Sequence, residues 1–127
     1  MRVLVVDDDK LVAVSLKTIL EADGEITVVG LGEAGGDAIR LYREQHPDIL
    51  LMDIEMAQLN GMETARRIRK FDEEVLIVFI TNTAQYAIKG YEVGALDYIL
   101  KPIPYFSFSQ QIRKAELQLQ KRKTFNL

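Results

Sequence analysis

No cysteine occurs among the 127 residues, which excludes disulfides and thiol chemistry and is compatible with a reducing compartment. Histidine occurs once, at His46 before Pro47, and reads as a surface residue at the end of a helix. Positive charge is not in excess: 16 Lys and Arg stand against 19 Asp and Glu, and a net charge of -3 argues against a nucleic-acid footprint on this segment. Long hydrophobic runs are missing too. Met1-Arg2 is followed by a short apolar run before Asp7-Asp8-Asp9, too short for a signal-peptide core or a membrane span. The expected location is therefore the cytoplasm, with no membrane contact. Internal repeats and low-complexity segments are also absent. What is present is an ordinary globular balance, 48% hydrophobic and 28% charged, at a length suited to one domain with a real core.

The hydrophobic pattern alternates between two periods. Val3 to Val6 is a short β-branched run, followed at Lys10 to Ala22 by helical spacing with Val12, Leu16, Ile19 and Leu20 on one side. Asp23-Gly24 marks a turn, Ile26 to Leu31 a second strand, and Ala34, Ala38, Leu41 and Tyr42 a second helix weakened by Gly35-Gly36. Pro47 precedes a third strand, Asp48 to Asp53, since proline can open a strand without breaking its ladder. Asn60-Gly61 opens a third helix carrying Met62, Ala65 and Ile68, and Val75 to Ile80 is the most apolar strand. Ala84, Ala87, Ile88 and Tyr91 predict a short fourth helix, Leu96 to Leu100 a fifth strand, and Phe108, Ile112, Ala115 and Leu119 a fifth helix. Strand and helix thus alternate five times. That pattern predicts an α/β fold, a doubly wound parallel sheet with five helices on its two faces, because parallel neighbours need crossover connections.

All strands of such a sheet point one way, so the residues at their carboxyl ends converge on one edge, where open α/β sheets place their ligands. The first strand ends in Asp7, Asp8 and Asp9, the third in Asp53, the fourth in Thr81 and the fifth in Lys101. Carboxylates cannot simply crowd together: two unit charges about 4 Å apart repel by roughly 4 kcal/mol at an effective dielectric of 20. One must be protonated, or a cation must neutralise them. Magnesium fits, because it takes one or two carboxylates together with waters and phosphate oxygens. With a carboxylate nucleophile, a lysine point charge and a hydroxyl donor, this edge suits phosphoryl transfer to Asp53.

Four segments carry a family resemblance: Val6-Asp7-Asp8, Met52-Asp53-Ile54, Ile80-Thr81, and Asp97-Tyr98-Ile99-Leu100-Lys101-Pro102. Over nearly its whole length the chain resembles the receiver domain of a two-component response regulator. The resemblance implies a flavodoxin-like sheet of order 2-1-3-4-5, a phosphoacceptor at Asp53, and contacts from Thr81 and Lys101 to the phosphoryl group. It also implies Mg2+ held by Asp7, Asp8, Asp53 and the backbone carbonyl of Glu55, a cis bond between Lys101 and Pro102, and a switch formed by Thr81 and Tyr98. The implied partners are a sensor histidine kinase and, after phosphorylation, a second copy bound through the fourth helix, fifth strand and fifth helix. A narrower likeness, in Phe79-Ile80-Thr81, Gln85 to Glu92 and Ala95-Leu96-Asp97-Tyr98, is to receivers of the LytTR subgroup, which precede a DNA-binding domain. The expected division is a receiver over residues 1–122 and a linker start or tail over 123–127, with DNA reached only through an output domain not among these residues. Two positions depart from the family pattern. Ala57 follows Met56 where proline is usual, implying a looser loop, and Asn82 follows Thr81 where a smaller residue is common.

Each residue also has a plainer reading. Asp9 reads best as the N-cap of the first helix, Thr81 alone as a helix cap, Lys101 as an edge lysine, Tyr98 as a core aromatic, and Lys121 to Lys123 as a helix terminus that favours positive charge. Their combination at four strand ends is what favours the site. Two other functions compete. A magnesium-dependent phosphatase with an aspartate nucleophile usually carries a second aspartate two residues on, where Glu55 stands. A flavodoxin-like electron carrier needs a phosphate-binding loop where Asp7-Asp8-Asp9 would repel phosphate. The expected protein is a signalling receiver, an enzyme only toward its own phosphorylation.

Overall fold

The computed structural model describes residues 1–82, 84–86 and 91–125. The elements run β1 (Arg2–Val6), α1 (Lys10–Glu21), β2 (Thr27–Gly32), α2 (Gly35–Gln45), β3 (Ile49–Asp53), α3 (Gly61–Arg69), β4 (Leu76–Thr81), two single 3-10 turns (Ala84–Tyr86 and Tyr91–Val93), β5 (Asp97–Leu100) and α4 (Tyr105–Phe125). The five strands form one parallel sheet of order β2-β1-β3-β4-β5. This is the doubly wound parallel sheet that the alternation of periods predicts, in the flavodoxin-like strand order that the resemblance implies.

The central strands read as unbroken apolar runs because each is covered on both faces. Val3, Val5, Ile49, Leu51, Val78 and Ile80 point to one side and pack with Leu16 and Leu20 of α1 and Phe108, Ile112 and Ala115 of α4. Their neighbours Leu4, Val6, Leu50, Met52, Ile77 and Phe79 point to the other side and pack with Ala38 of α2 and Met62, Ala65 and Ile68 of α3. Every side chain of β3 and β4 is buried. Burying one such Leu, Ile or Phe contributes about 1.5–3 kcal/mol, so the sheet is a stiff floor beneath its edge.

Two glycines let the layers close on the site. A side chain at Gly61 would overlap the main-chain carbonyl of Asp53, so only glycine lets the start of α3 press against the end of β3. At Gly35 a Cβ would lie 2.5 Å from Thr64 Oγ1 and 2.6 Å from the Leu59 carbonyl. Gly35 therefore opens α2 at a close approach to Thr64 of α3 and the Leu59 carbonyl, whereas a side chain at Gly36 would meet nothing within 4 Å.

The expectation of five helices needs correction. Among the described residues there are four α-helices, and the expected fourth helix over Ala84 to Tyr91 is replaced at its ends by the two 3-10 turns, while residues 87–90 of that expectation lie outside the described residues. Short helices are marginal unless an amphipathic face holds them, and single 3-10 turns are their usual substitute in connections. Gly94, at φ 63°, follows the second turn and leads into β5. At the other end α4 continues through Phe125, so the expected boundary after residue 122 falls inside a helix. Among the described residues no helix is long and apolar enough to cross a membrane.

Candidate functional site

Chain direction brings the polar residues together. Asp7 and Asp8 follow β1, Asp53 is the last residue of β3, Thr81 the last of β4, and Lys101 follows β5. Main-chain hydrogen bonds tie these ends to one another: Asp7 N–H donates to the Gly32 carbonyl at 3.0 Å, Ile54 N–H to Ile80 at 3.1 Å, and Lys101 N–H to Thr81 at 2.8 Å. Asp9 leaves the cluster to cap α1, its Oδ1 accepting from the N–H groups of Leu11 at 3.0 Å and Val12 at 3.4 Å. The Lys101–Pro102 peptide bond is cis.

Asp7, Asp53 and Thr81 are buried, whereas Asp8 is exposed. Carboxylate oxygens of Asp7, Asp8 and Asp53 lie within 4.8 Å of one another. Lys101 Nζ bridges two of them, 2.9 Å from Asp7 Oδ2 and 3.5 Å from Asp53 Oδ2. Asp53 Oδ1 accepts the Glu55 N–H at 3.1 Å, and Asp7 Oδ1 accepts the Asp9 N–H at 2.9 Å. Asp7 Oδ2 is fully buried, and apart from the Lys101 ion pair no donor reaches it in hydrogen-bonding geometry.

The electrostatics follow from this crowding. Burial, reinforced by the neighbouring Asp7, pushes the Asp53 carboxyl up to about 7, against the opposing pull of Lys101 and the Glu55 N–H. Burial acts against the Lys101 ammonium, but its close ion-pair contact with Asp7 and the charges of Asp53 and Asp7 outweigh this and hold its pKa above the ordinary lysine value. One lysine thus serves two buried carboxylates. A divalent cation fits the residues present: three carboxylates converge, a buried oxygen of Asp7 has no donor in hydrogen-bonding geometry, and burial together with Asp7 disfavours the charged form of Asp53.

Glu55 has a role beyond the main-chain one that the sequence implied. Its Oε1 accepts from Thr81 Oγ1 at 2.6 Å and from the Asn82 N–H at 2.9 Å. The signal was present in the spacing, since a residue two positions past a strand-end aspartate lies near the end of the adjacent strand. Ala57 is exposed, and buried Met56 beside it anchors the loop to the α2/α3-side core. In the same loop Gln58 takes a left-handed φ of 64°, and Asn60 caps α3 by accepting the Glu63 N–H at 2.9 Å. Tyr98 is half-buried against that same core. His46 closes α2 in a left-handed conformation, φ 47°, away from the strand ends that form the site.

Comparison with known proteins bears on this geometry. The model of the response regulator receiver domain family matches residues 3–113. The sensory transduction protein LytT of Bacillus cereus is 38% identical over 120 residues, covering 94% of this chain and 49% of the relative. The transcriptional regulatory protein YdfI of Bacillus subtilis is 39% identical over 101 residues, covering 79% of this chain and 47% of the relative. This chain spans about half the length of the curated relatives it matches. Among solved structures, the response regulatory domain of mrkE from Klebsiella pneumoniae superposes with a TM-score of 0.88 at 27% identity, covering 95% of this chain and 99% of that one.

Proposed function

The chain belongs to the response regulator receiver domain family, and we propose that it takes a phosphoryl group on Asp53 from a sensor histidine kinase and passes the signal on by changing its surface. The observation that carries this reading is the convergence of Asp7, Asp8 and Asp53 with Lys101 bridging two of them, on the carboxyl edge of the sheet. A carboxylate oxygen of Asp53 attacks the phosphorus. The phosphorus–nitrogen bond to the kinase histidine breaks, its electron pair stays on the ring nitrogen, and an aspartyl phosphate remains. With a small acyl phosphate as donor, the phosphorus–oxygen bond breaks instead and the carboxylate leaves.

Receiver domains bind Mg2+ at an acidic pocket, and here Asp7, Asp8, Asp53 and the main-chain carbonyl of Glu55 are the groups that would hold it. When bound, the ion neutralises the negative charge that aspartates and phosphoryl group bring together. The Lys101 ammonium, already held between Asp7 and Asp53, supplies a positive charge to the phosphoryl oxygens. The Thr81 hydroxyl supplies a hydrogen bond.

Drawing Thr81 toward the new dianion makes room for Tyr98 to turn inward. Turning a 1:99 equilibrium into 99:1 takes roughly 5.5 kcal/mol of differential stabilisation. One to three new charge-assisted hydrogen bonds are the natural source. The surface that changes comprises the segment between β4 and β5, the edge strand β5 and α4, and it supports a homodimer. The name of YdfI, a transcriptional regulatory protein, supports a role in transcriptional control, which the likeness to LytT would place in a LytTR-type DNA-binding domain after the receiver; the proposed setting is the cytoplasm. The phosphatase alternative is disfavoured because the Glu55 carboxylate, its candidate acid/base, accepts from Thr81 and Asn82.

The test is incubation with Mg2+ and acetyl phosphate, followed by intact mass and mapping of the modified residue. One stoichiometric phosphoryl group on Asp53, absent in Asp53→Asn, is expected. Modification elsewhere, no modification, or steady turnover of phosphate monoesters overturns the reading.

A further inference from the structure

The Glu55 carboxylate is engaged in an arrangement that suits a phosphoryl oxygen. Its Oε1 is held by an O–H from Thr81 at 2.6 Å and by an N–H from Asn82 at 2.9 Å. Two convergent donors on one anionic oxygen make an anion-binding pair, of the kind that recognises a phosphate as readily as a carboxylate. The pair sits at the end of β4, which lies beside the end of β3 in register, Asp53 opposite Ile80. The main-chain N–H of Glu55 meanwhile donates to Asp53 Oδ1 at 3.1 Å. A single residue therefore touches the nucleophile with its backbone and an anion pocket beside it with its side chain.

We propose that Glu55 is a built-in occupant of the phosphoryl-oxygen site: its carboxylate fills the Thr81 and Asn82 donors in the unphosphorylated chain, and phosphorylation goes forward as that carboxylate is displaced. The inference rests on Asp53 being the phosphoacceptor. It deepens that reading by naming a positioning residue that competes with the incoming group. The geometry suits displacement, because Glu55 is exposed and its carboxylate can swing into water, while Thr81 beneath it is fully buried. The same contact gives the resting chain a defined state, since it keeps the Thr81 hydroxyl satisfied before any phosphate arrives. After transfer, the dianion takes both donors and Glu55 turns outward, away from like charge.

Three chains decide the matter: the wild type, Glu55→Gln, which removes the charge but keeps an acceptor oxygen, and Glu55→Ala, which removes both. In the first arm, labelling by acetyl phosphate with Mg2+ is followed by intact mass. The alanine chain is expected to label roughly tenfold faster than the wild type, with glutamine between them, because the displaced contact is a charge-assisted pair. In the second arm, inorganic phosphate with Mg2+ is titrated while the Asn82 amide resonance is observed. Half-saturation is expected at a concentration roughly tenfold lower in Glu55→Ala than in the wild type. Equal labelling rates together with equal phosphate affinities overturn the proposal, and so does slower labelling in the alanine chain with unchanged phosphate affinity. If no chain labels while the difference in phosphate affinity persists, Asp53 as phosphoacceptor fails and the occupancy of the donor pair by Glu55 stands.

Discussion

Replacing Asp53 by asparagine should stabilise the metal-free protein at alkaline pH and leave it nearly unchanged in mild acid. The Asp53 carboxyl is raised by burial and by Asp7 to about 7, whereas an unfolded aspartate titrates near 3.8. Between those values the folded chain holds a proton that the unfolded chain has lost, so stability falls as pH rises and is fully present only below the unfolded value. From pH 5 to beyond pH 7 the wild type crosses two pH units of that range, at 1.36 kcal/mol each, a loss of about 3 kcal/mol. Asparagine carries no such proton. Its oxygen still accepts the Glu55 N–H, but its amide faces Lys101, so the net gain at pH 8 is about 2–3 kcal/mol. For a chain of 127 residues that raises the melting temperature on the order of 10 °C. Melts in EDTA at pH 5 and pH 8 measure it. Magnesium at a hundred times its Kd should give the wild type about 2.7 kcal/mol by mass action at pH 8, and the variant much less. A variant less stable than the wild type at pH 8, or an advantage equal at both pH values, would refute the account of Asp53 as a desolvated, charge-crowded group.

Three further expectations rest on separate contacts. Gly61→Ala places a methyl group against the Asp53 carbonyl and should cost about 3 kcal/mol or more in urea unfolding, with a matching fall in Asp53 labelling as the strand end is pushed aside. Lys101→Met removes the ammonium from between Asp7 and Asp53; labelling by acetyl phosphate should drop roughly 100-fold, yet calorimetry should find Mg2+ bound at least as tightly, because a competing cation has gone. Tyr42→Phe deletes the 2.6 Å bond to Asp72, an acid that burial alone would raise but that the bonds from Tyr42 and the N–H groups of Glu74 and Val75 hold below its ordinary value. The loss should be about 1–2 kcal/mol at pH 7 and should shrink in acid, since stability from a depressed carboxyl is present above its unfolded pKa and disappears as pH falls through the folded one.

What the sequence made legible was whatever periodicity and chain direction determine. Unbroken runs such as Leu50-Leu51-Met52 and Val75 to Ile80 announce strands covered on both faces, and their parallel alignment brings Asp7, Asp53, Thr81 and Lys101 to one edge. Side-chain choice among close alternatives was not legible. The hydroxyl of Thr81 had a helix cap and a phosphoryl oxygen as candidate partners, and it bonds the Glu55 carboxylate, a third partner set by how the 54–60 loop folds back. That loop takes its shape from Met56 in the core, Gln58 at a left-handed φ and Gly61 against Asp53, three contacts distant from any periodic signal. The stretch after Thr81 departs from the helix its spacing predicts for a related reason. Four apolar residues at helical spacing, Ala84 to Tyr91, suggest a face, but the described parts form single 3-10 turns there.

Among the described residues, four donors at the resting site are already engaged. The Lys101 ammonium is divided between Asp7 and Asp53, the Thr81 hydroxyl and Asn82 N–H are on Glu55, and the Glu55 N–H is on Asp53 itself. Burial and the neighbouring Asp7 already disfavour charge on Asp53, and a phosphoryl group added there would bring more negative charge. Beyond what a bound divalent cation neutralises, that charge would be met by re-partnering Thr81, Asn82 and Lys101, which stand at the ends of β4 and β5. Lys101 N–H is hydrogen-bonded to the Thr81 carbonyl at 2.8 Å, so a shift at either strand end is felt at the other. On the proposed reading, phosphorylation at Asp53 is thereby coupled to the surface beyond β4, because the groups that would meet the new charge also hold the ends of β4 and β5.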